Sequence, residues 1–333
     1  MSSMLFLGVS ALALVVAATL SASPPPAPYA LEDAEIHFEN FIQTYERNYA
    51  DESEKQARFE IFKENLKRIN SLNENSDHAV FGITQFTDLS REEFAAKVTC
   101  LSRESRPIGE DNSCKYLYDE DITYNDAPES FDWRDYGVVT PIKDQKSCGS
   151  CYAFSAIGNI EGQYAIKHKE LIRLSEQQIV DCDKENGDCM GGLMDVAESE
   201  ADYPYKGRLN TCRFDANKVK VKLEDCRSYN LTSQEKLKQL LYHTGPIAIG
   251  KLKDHALNTY TRGIISDKDC DVDRINHGVL LVGYGTEGDK PYWIAKNSWG
   301  TSFGEKGYFK MQRGENALSC SMMNELMASA IVA

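Results

Sequence analysis

The sequence predicts an α+β fold in which a helical first half precedes a β-rich second half. In three stretches of the first half, apolar side chains recur every three or four positions, at 32–45, 52–72 and 151–167. β-Branched and aromatic runs separated by glycine, typical of an antiparallel sheet or barrel, occupy 246–249, 278–284, 292–296 and 308–311. Because the two halves differ in type, we expect a functional site in the crevice between them.

Length and charge narrow the functional classes. The chain has 333 residues, of which 42% are apolar, enough for one large or two ordinary domains with a core. Its formal net charge is -14, and no basic stripe runs through it. Nucleic acid is therefore not an expected partner.

The N-terminal stretch has the features of a signal peptide. Residues 4–20 are apolar and uncharged, and small residues and prolines follow them. We expect a signal peptide over 1–20, cut between residues 18 and 23, with no membrane association after its removal. The usual basic residues are missing, so an uncleaved anchor is the alternative. Ten cysteines in a secreted chain predict disulfides, and Asn230 opens the single N-x-S/T sequon.

The region before residue 127 is charged and mainly helical in pattern. Two amphipathic helices fit 32–45 and 52–72. Alternation of apolar and polar side chains predicts a strand over 81–88, and a helical turn capped by Asp88 or Ser90 follows. Residues 97–126 have mixed charge and many turn formers, which indicates an extended linker open to proteolysis.

A short segment with two cysteines precedes the central helix. Cys148 and Cys151 are three residues apart, with a glycine between them. A buried stripe is expected on the helix from Phe154, Ile157, Ile160 and Tyr164. A helix N-terminus lowers a thiol pKa, which favours the reactive thiolate at Cys151, and Gln145 lies upstream as an N–H donor for an oxyanion. Structural, redox or zinc roles for the C-x-x-C pair are equally compatible with this segment alone.

A base and an orienting residue for a thiolate are present further along. His277 begins an apolar strand, and a lone histidine there is more often structural. Asn297 follows twenty residues later and can accept the second ring N–H of His277. Trp299 can shield that hydrogen bond from water. A cysteine nucleophile requires this kind of partnership.

These segments resemble the signatures of papain-family, cathepsin L-like cysteine proteases. His277 and Asn297 follow Cys151 at the separation typical of that family. The N-terminal region matches the ERFNIN pattern at six positions, Glu54, Arg58, Phe62, Asn65, Ile69 and Asn73. A companion motif matches at Gly82, Thr84, Phe86 and Asp88, with Thr84 in place of asparagine. Several stretches, such as Arg262–Ile265 and Asn324–Leu326, resemble the cathepsins of insect baculoviruses.

The resemblance implies a papain-like two-domain fold, with a helical left domain, a β-barrel-like right domain and a cleft between them. A mainly helical inhibitory propeptide would span 24–126, with its inhibitor region at about 35–95, and the mature peptidase 127–333. The propeptide would be an intramolecular inhibitor, released at acid pH when carboxylates such as that of Asp88 take up protons. The implied partners are peptide and protein substrates of a monomer. The implied location is the secretory pathway and then an acidic lysosome-like compartment or the extracellular space, in a host cell for a viral enzyme.

The resemblance also assigns roles to single residues. Cys151 would be the nucleophile, His277 the general base and then acid, and Asn297 the residue that orients the imidazole. Gln145 and the Cys151 backbone N–H would form the oxyanion hole. No metal and no cofactor are implied. The family's disulfides would be Cys148–Cys189, Cys182–Cys212 and Cys270–Cys320; Cys226 is then left over, and a Cys100–Cys114 bridge is the guess for the other two.

Substrate contacts carry over in the same way. Gly191 and Gly192 would pair with an extended peptide, and Trp299 would flank the cleft. An apolar pocket for the P2 side chain would be lined by Leu193, Met194, Gly250, Ile275 and Gly278, with Glu325 at its floor. The pocket would take Leu, Val or Phe and also accept Arg, more at neutral than at acid pH. The alternative is that Glu325 points to solvent.

The chain departs from the family pattern in one place near the cleft. Between Gly192 and Tyr203 it is short, so the helix expected there would keep about two turns. Phe303, Ser321 and Tyr152 also replace commoner residues. A catalytically impaired homologue that acts as a binder or inhibitor is therefore the alternative to an endopeptidase. A zinc module of Cys148, Cys151, Cys182 and Cys189 is the third hypothesis. No insertion resembles the occluding loop of exopeptidases.

Overall fold

Helices dominate the first half of the structure and strands the second, as the sequence predicts. The computed structural model describes residues 26–98, 114–182, 196–249, 256–270, 277–314 and 327–333. Its α-helices are α1 (Ala34–Thr44), α2 (Glu52–Asn75), α3 (Arg91–Val98), α4 (Cys151–His168), α5 (Glu176–Cys182) and α6 (Gln234–Thr244). Its strands are β1 (Ala79–Phe81), β2 (Lys115–Tyr118), β3 (Phe131–Asp132), β4 (Val196–Glu198), β5 (Val219–Asn230), β6 (Ile247–Ile249), β7 (Tyr260–Ile265), β8 (Val279–Glu287), β9 (Lys290–Lys296), β10 (Tyr308–Gln312) and β11 (Met327–Val332).

The N-terminal helices pack through aromatic side chains. Phe38 and Phe41 of α1 both contact Phe62 of α2, with ring centroids 5.2 Å apart in each pair. Helix α2 begins where the Asp51 carboxylate accepts from the Glu54 N–H, and the Glu54 carboxylate accepts in return from the Ala50 N–H. These two side-chain hydrogen bonds at the N-terminus of α2 fix where the long helix starts.

The polar positions of the ERFNIN pattern hold the segment that follows α2. The Asn65 amide donates to the carbonyls of Thr87 and Leu89. Asn73 both donates to the Phe81 carbonyl and accepts from the Phe81 N–H. The apolar positions Phe62 and Ile69 are fully buried. The apolar side chains of α2 therefore fill the core, and the neighbouring asparagines hold the segment that follows α2 against the helix.

The expected strand over 81–88 is wrong. Only Ala79–Phe81 is extended, and 85–89 turns back on itself. The reason is local: the Thr87 hydroxyl accepts from the Thr84 N–H and donates to the Thr84 carbonyl. Side-chain hydrogen bonds thus satisfy backbone groups that a strand partner would otherwise take.

Most strands join one sheet, in the order β1-β7-β10-β9-β8-β6-β11-β5-β2, with β3 paired to β8 and β4 to β5. Strand β1, from the N-terminal region, pairs antiparallel with β7 and so extends the sheet of the C-terminal half. Helix α4 packs against this half, and the Ser155 hydroxyl donates to the Val279 carbonyl of β8 where the two meet. The expected stripe is present: Phe154, Ile157 and Ile160 are buried, and Tyr164 is partly buried.

The expected linker over 97–126 is wrong for the part that the structure describes. Residues up to Val98 belong to α3. Strand β2 pairs in parallel with β5, with Lys115 opposite Arg227 and Tyr118 opposite Asn230. Cys114 forms a disulfide with Cys226, so the guessed Cys100–Cys114 bridge is also wrong and Cys226 is not left over.

The short segment near the cleft is a strand rather than the expected helix where it is described. Val196–Glu198 pairs antiparallel with β5, while residues 193–195 lie outside the described residues. As a strand, this segment can hydrogen-bond its backbone to the long strand β5. A helix of two turns would leave those groups of β5 without these partners. Nearby, Cys182 and Cys212 form the disulfide that the resemblance implies. Within the described ranges, no helix is both long and apolar enough to cross a membrane.

Candidate active site

The site is built where the N-terminus of α4 meets the start of β8. Cys151 is the first residue of α4 and is fully buried, and no acidic residue lies in the first turn of this helix. A side chain at Gly278 would place its Cβ only 3.1 Å from the carbonyl carbon and oxygen of Cys151. Glycine at 278 therefore allows the chain beside His277 to lie directly against Cys151.

His277 is held by Asn297 and Trp299. Its Nε2 lies 2.7 Å from the Asn297 Oδ1, the contact that the sequence predicts. The indole of Trp299 stacks on the imidazole, with ring centroids 4.5 Å apart, and both residues are buried. The Nδ1 atom is buried without a hydrogen-bond partner among the described residues. With Nε2 fixed by Asn297, Nδ1 is the nitrogen left for proton transfer.

Burial lowers the pKa of His277 to about 4, because it outweighs the opposing effect of the Asn297 hydrogen bond. The imidazole is therefore neutral in this environment at pH 7. A thiolate beside it would have the opposite effect and favour the imidazolium, because opposite charges stabilise each other most strongly where water is excluded.

The side-chain amide of Gln145 is buried and faces a backbone carbonyl of the N-terminal region. Its Nε2 donates to the carbonyl oxygens of Val98, at 2.7 Å, and Cys148, at 2.8 Å. Its Oε1 accepts from the hydroxyl of Ser298 at 2.6 Å. An amide so oriented can stabilise a negatively charged oxygen at the position that the Val98 carbonyl now occupies.

Two residues that support this amide were not singled out as site residues from the sequence. Ser298 fixes its orientation, and Tyr205 donates to the Gln145 carbonyl at 2.8 Å while contacting the Ser150 hydroxyl at 2.6 Å. Tyr205 thus ties together both ends of the loop that leads into α4. Ser298 lies between Asn297 and Trp299, so proximity to that motif was the available signal; no spacing rule indicates Tyr205.

The oxidation state of the site differs from the expectation. Cys151 is disulfide-bonded, and its partner lies outside the described residues. The bonded member of the C-x-x-C pair is therefore Cys151 rather than Cys148, and the expected Cys148–Cys189 bond is wrong for this structure. Spacing alone does not decide which of two cysteines three residues apart a partner takes. A sulfur in a disulfide is not a nucleophile, so the structure represents an oxidised form of the site.

Aromatic side chains of the N-terminal region cover the outer side of the site. Phe86 and Phe94 both meet the Trp299 ring edge to face, with centroids 5.1 and 5.5 Å away. The Gln85 amide also donates to the Trp299 carbonyl at 3.0 Å. Together with Val98 on Gln145, these contacts place the N-terminal region across the residues expected to act on a substrate.

The remaining expected site residues fall into two groups. Gly278 lies against Cys151 as described, Asn230 is partly buried at the end of β5, and Cys270 is disulfide-bonded to a partner outside the described residues. Seven of the pocket and cleft residues, together with Cys189 and Cys320, lie outside the described residues: Gly191, Gly192, Leu193, Met194, Gly250, Ile275 and Glu325. The zinc hypothesis is wrong, because Cys151 and Cys182 are both in disulfides.

Comparison with known proteins is consistent with this geometry. A papain family cysteine protease domain matches residues 127–330, and a cathepsin propeptide inhibitor domain matches 38–94. The chain is 42% identical to the viral cathepsin of Heliothis zea nuclear polyhedrosis virus, over 94% of this chain and 91% of that protein. It is 44% identical to the viral cathepsin of Bombyx mori nuclear polyhedrosis virus, over 89% and 92%.

Solved structures agree. Digestive procathepsin L2 from the Tenebrio molitor larval midgut superposes with a TM-score of 0.80 at 32% identity, covering 90% of this chain and 99% of that one. A recombinant stem bromelain precursor gives a TM-score of 0.76 at 31% identity, covering 90% and 98%. The matched inhibitor domain contains Phe86 and Phe94, which cover Trp299, and it ends four residues before Val98, which contacts Gln145. The chain belongs to the papain family of cysteine proteases and carries its propeptide inhibitor domain.

Proposed function

We propose that the reduced chain is the zymogen of an endopeptidase in which Cys151 is the nucleophile, His277 the proton carrier, and Asn297 and Gln145 the supporting residues. The observation that carries this proposal is the hydrogen bond from Gln145 Nε2 to the Val98 carbonyl. A peptide carbonyl of the expected propeptide, just after its inhibitor region, already occupies the place where a substrate carbonyl would be polarised.

The chemistry follows from these positions. The Cys151 thiolate attacks the carbonyl carbon, and Gln145 Nε2 and the Cys151 N–H donate to the resulting oxyanion. His277, protonated on Nδ1, gives that proton to the departing amine as the C–N bond breaks, which leaves a thioester on Cys151. Neutral His277 then takes a proton from water, whose oxygen attacks the thioester and releases the acid and the thiolate.

Labelling of Cys151 tests this assignment. An added dithiol reduces the Cys151 disulfide, and an epoxide inhibitor of thiol proteases should then alkylate Cys151 in the acid-activated protein, as located by mass spectrometry. Without reduction we expect no label. Cys151→Ser should abolish both label and peptide hydrolysis. A reduced, activated wild-type protein that hydrolyses no peptide and takes no label would favour an impaired homologue instead.

We propose that the P2 pocket is apolar, with Glu325 at its floor to accept arginine. The position of Glu325 five residues after Cys320 supports this, by resemblance to the family. Matched peptides with Phe or Arg at P2 are the probes. Glu325→Gln should reduce hydrolysis of the Arg peptide and leave the Phe peptide unchanged. Equal rates on the Arg peptide for wild type and Glu325→Gln would exclude the assignment.

We further propose that the protein is secreted as a monomeric viral cathepsin, made through the host secretory pathway and active on host tissue proteins. Support comes from the apolar residues 4–20 and from relatives that are named viral cathepsins. Expression in insect cells should give protein in the medium that lacks residues 1–20 and carries glycan on Asn230. Retention in the cell with an intact N-terminus would contradict secretion.

A further inference from the structure

We propose that residues 114–126, on the N-terminal side of the expected mature domain, stay covalently attached to the active enzyme through Cys114–Cys226. Release of the inhibitory region then requires a cut on the N-terminal side of Cys114. A cut near Ala127 alone would leave that region tethered. The inference rests on the proposed activation by cleavage, and four features of residues 114–127 support it.

The first feature is covalent. Cys114 is bonded to Cys226 in the middle of β5, a strand of the peptidase domain. The next four residues, Lys115–Tyr118, continue as β2 and pair in parallel with Arg227–Asn230. The disulfide and the strand pairing hold adjacent residues of the segment, so the segment cannot separate from β5 unless both are broken.

The second feature is a cap on a helix of the peptidase domain. The Asp119 carboxylate accepts from the N–H groups of Thr232, at 3.1 Å, and Ser233, at 3.2 Å, and also from the Thr232 hydroxyl. Ser233 is the N-cap of α6. A carboxylate at this end faces the positive pole of the helix dipole and accepts from N–H groups near the helix start.

The third feature is burial in the core. The Ile122 side chain is 2% exposed and belongs to the same apolar cluster as Leu237 and Leu240 of α6. The Lys236 ammonium donates to the Ile122 carbonyl at 2.6 Å. Removal of the segment would take the buried Ile122 side chain out of this core, so retention is the favoured state.

The fourth feature joins the segment to the far end of α6. The Tyr124 ring stacks on His243 at 4.1 Å, and the Asp126 carboxylate contacts His243 Nε2 at 2.6 Å. The Ala127 N–H donates to the Gln239 side chain at 3.0 Å. The segment therefore follows α6 along its whole length and reaches residue 127 without leaving the peptidase domain.

The inhibitory region lacks such a bond in the part of the chain that the structure describes. Its contacts with the peptidase domain are the β1–β7 pairing, hydrogen bonds such as that from Gln85 to Trp299, ion pairs and ring contacts. All of these contacts are non-covalent, and acid can weaken the ion pairs among them, such as that between Lys268 and Asp77, whereas it does not break a disulfide. The two parts of the propeptide thus differ in their attachment to the peptidase domain. Residues 114–126 are held by a covalent bond, and in the described structure the inhibitory region is held by non-covalent contacts that can dissociate.

Mass analysis of the activated protein under non-reducing conditions tests the inference. Full-length wild-type protein is first given enough dithiol to free Cys151 for labelling while the Cys182–Cys212 pair stays intact, is activated at pH 5, where few thiols are ionised and disulfide exchange is slow, and is then alkylated. A parallel sample of full-length Cys151→Ser is cut by an added cysteine endopeptidase from another source, so that processing does not depend on the activity of this chain. The peptide pair joined by Cys182–Cys212 serves as the internal control for intact disulfides.

We expect the non-reduced enzyme to contain residues 114–126 in both samples. Either a single chain begins before Cys114, or a fragment with Cys114 is released only on reduction; both results support the inference. An enzyme that begins at or after Ala127 with no linked fragment, while the Cys182–Cys212 pair is intact, overturns it. If wild type does not process itself but cut Cys151→Ser keeps the segment, the proposed nucleophile fails and the tether stands.

Discussion

Gln145 has its side-chain amide fixed at both ends. The carbonyl oxygens of Val98 and Cys148 can only accept, so Nε2 must face them. Oε1 then faces the hydroxyl of Ser298. The orientation of the donor that would meet a substrate oxyanion therefore depends on a serine beside the residue that orients His277.

We predict that Ser298→Ala lowers kcat of the activated enzyme about 10-fold, or ~1.4 kcal/mol in the barrier, with a smaller change in KM. The Gln145 amide would lose its fixed orientation, which matters most when charge develops on the substrate oxygen. Steady-state kinetics on one peptide measures this. Ser302→Ala is the control, because the Ser302 hydroxyl contacts only the inhibitory-region residue Gln85 in the described structure. An unchanged kcat in Ser298→Ala would contradict the prediction.

Residue types predicted the pairing of His277 with Asn297, because an imidazole on a strand needs an acceptor to select its tautomer. The same reasoning could not decide between Cys148 and Cys151 for a disulfide. Which sulfur is bonded depends on where a partner from a distant segment arrives, and spacing within the C-x-x-C pair carries no information about that. The hydrogen bonds of Tyr205 with Gln145 and Ser150 likewise join residues that are far apart in the chain, so the sequence does not reveal them.

At the scale of elements, strand β1 docks on β7 at a position that only glycine permits. Gly263 pairs with Ala79 and has φ of +88°. A Cβ there would overlap with the carbonyl oxygen of His78. The neighbouring Thr261 hydroxyl donates to the Val80 carbonyl at 2.8 Å. The peptidase domain thus offers an edge shaped for this strand.

We predict that Gly263→Ala weakens latency, so that the zymogen hydrolyses a small peptide at neutral pH without an acid step. The methyl group would push β1 away and add strain at a positive φ. Gly288→Ala is matched for strain, since φ is +63° there, and its Cβ would meet nothing within 4 Å. Equal latency in the two variants would show that the close approach at His78 does not matter for inhibition.

Acid weakening of the inhibitory region is better assigned to Glu93 than to Asp88. Burial raises the pKa of Asp88 despite the opposing charge of Arg47, so protonation of Asp88 does not destabilise the fold. The hydrogen-bonded ion pair with Arg58, at 2.6 Å, instead lowers the pKa of Glu93. The stability that this pair supplies is present above the ordinary value of 4.5 and is lost as the pH falls below it.

We predict that Glu93→Gln shifts the pH midpoint of activation upward, while Asp88→Asn keeps a wild-type acid step. Because both partners are partly exposed, the effect of Glu93→Gln should be no more than ~1 kcal/mol. Activity after incubation across pH 3–6 measures the midpoint. An Asp88→Asn zymogen that is active at neutral pH would restore the original expectation for Asp88.

Helix positions followed from the sequence because caps and apolar periodicity are local, as at Asp51 and along α4. The β elements were less predictable. The sequence does not reveal strands β5, β7 and β11, and side-chain alternation predicts a strand over 81–88 where the structure has one that ends at Phe81. Each of these depends on a partner strand far away in the chain, and alternation of side chains does not reveal whether such a partner exists.

At the scale of the whole molecule, a buried ionic cluster joins the helical half to the sheet behind the active site. The Lys143 ammonium contacts the carboxylates of Glu161 on α4 and Glu176 on α5. On the other side, Lys296 of β9 donates to the Thr140 hydroxyl at 2.9 Å, and that hydroxyl donates to Glu161. Lys296 directly precedes Asn297, so the cluster also fixes the strand end that orients His277. Sequence spacing gives no indication of the cluster, since its members come from one loop, two helices and one strand that are far apart in the chain.

The two carboxylates of this cluster differ in their surroundings. Glu161 accepts from Thr140, Lys143 and the Leu174 N–H. Glu176 shares Lys143, and its Oε2 is buried without a partner in the described part of the chain. Burial raises the pKa of Glu176 to about 7, while burial lowers the pKa of Lys296 to about 8. At pH 5 Glu176 is therefore the protonated member of the cluster, while Glu161 is the carboxylate with the larger set of hydrogen-bond donors.

We predict that Glu161→Gln destabilises the zymogen by ~3 kcal/mol or more, because Lys143 would lose its charged partner in the interior. Glu176→Gln should cost less than ~1 kcal/mol at pH 5, where the protonated side chain that it replaces is already neutral. For wild type, the contribution of Glu176 is fully present below its unfolded pKa near 4.5 and is lost as the pH rises through about 7. Urea unfolding at pH 5 and pH 8 should show this loss in wild type and not in Glu176→Gln. If Glu176→Gln is as damaging as Glu161→Gln at pH 5, then Glu176 is ionised there and carries the charge of the cluster.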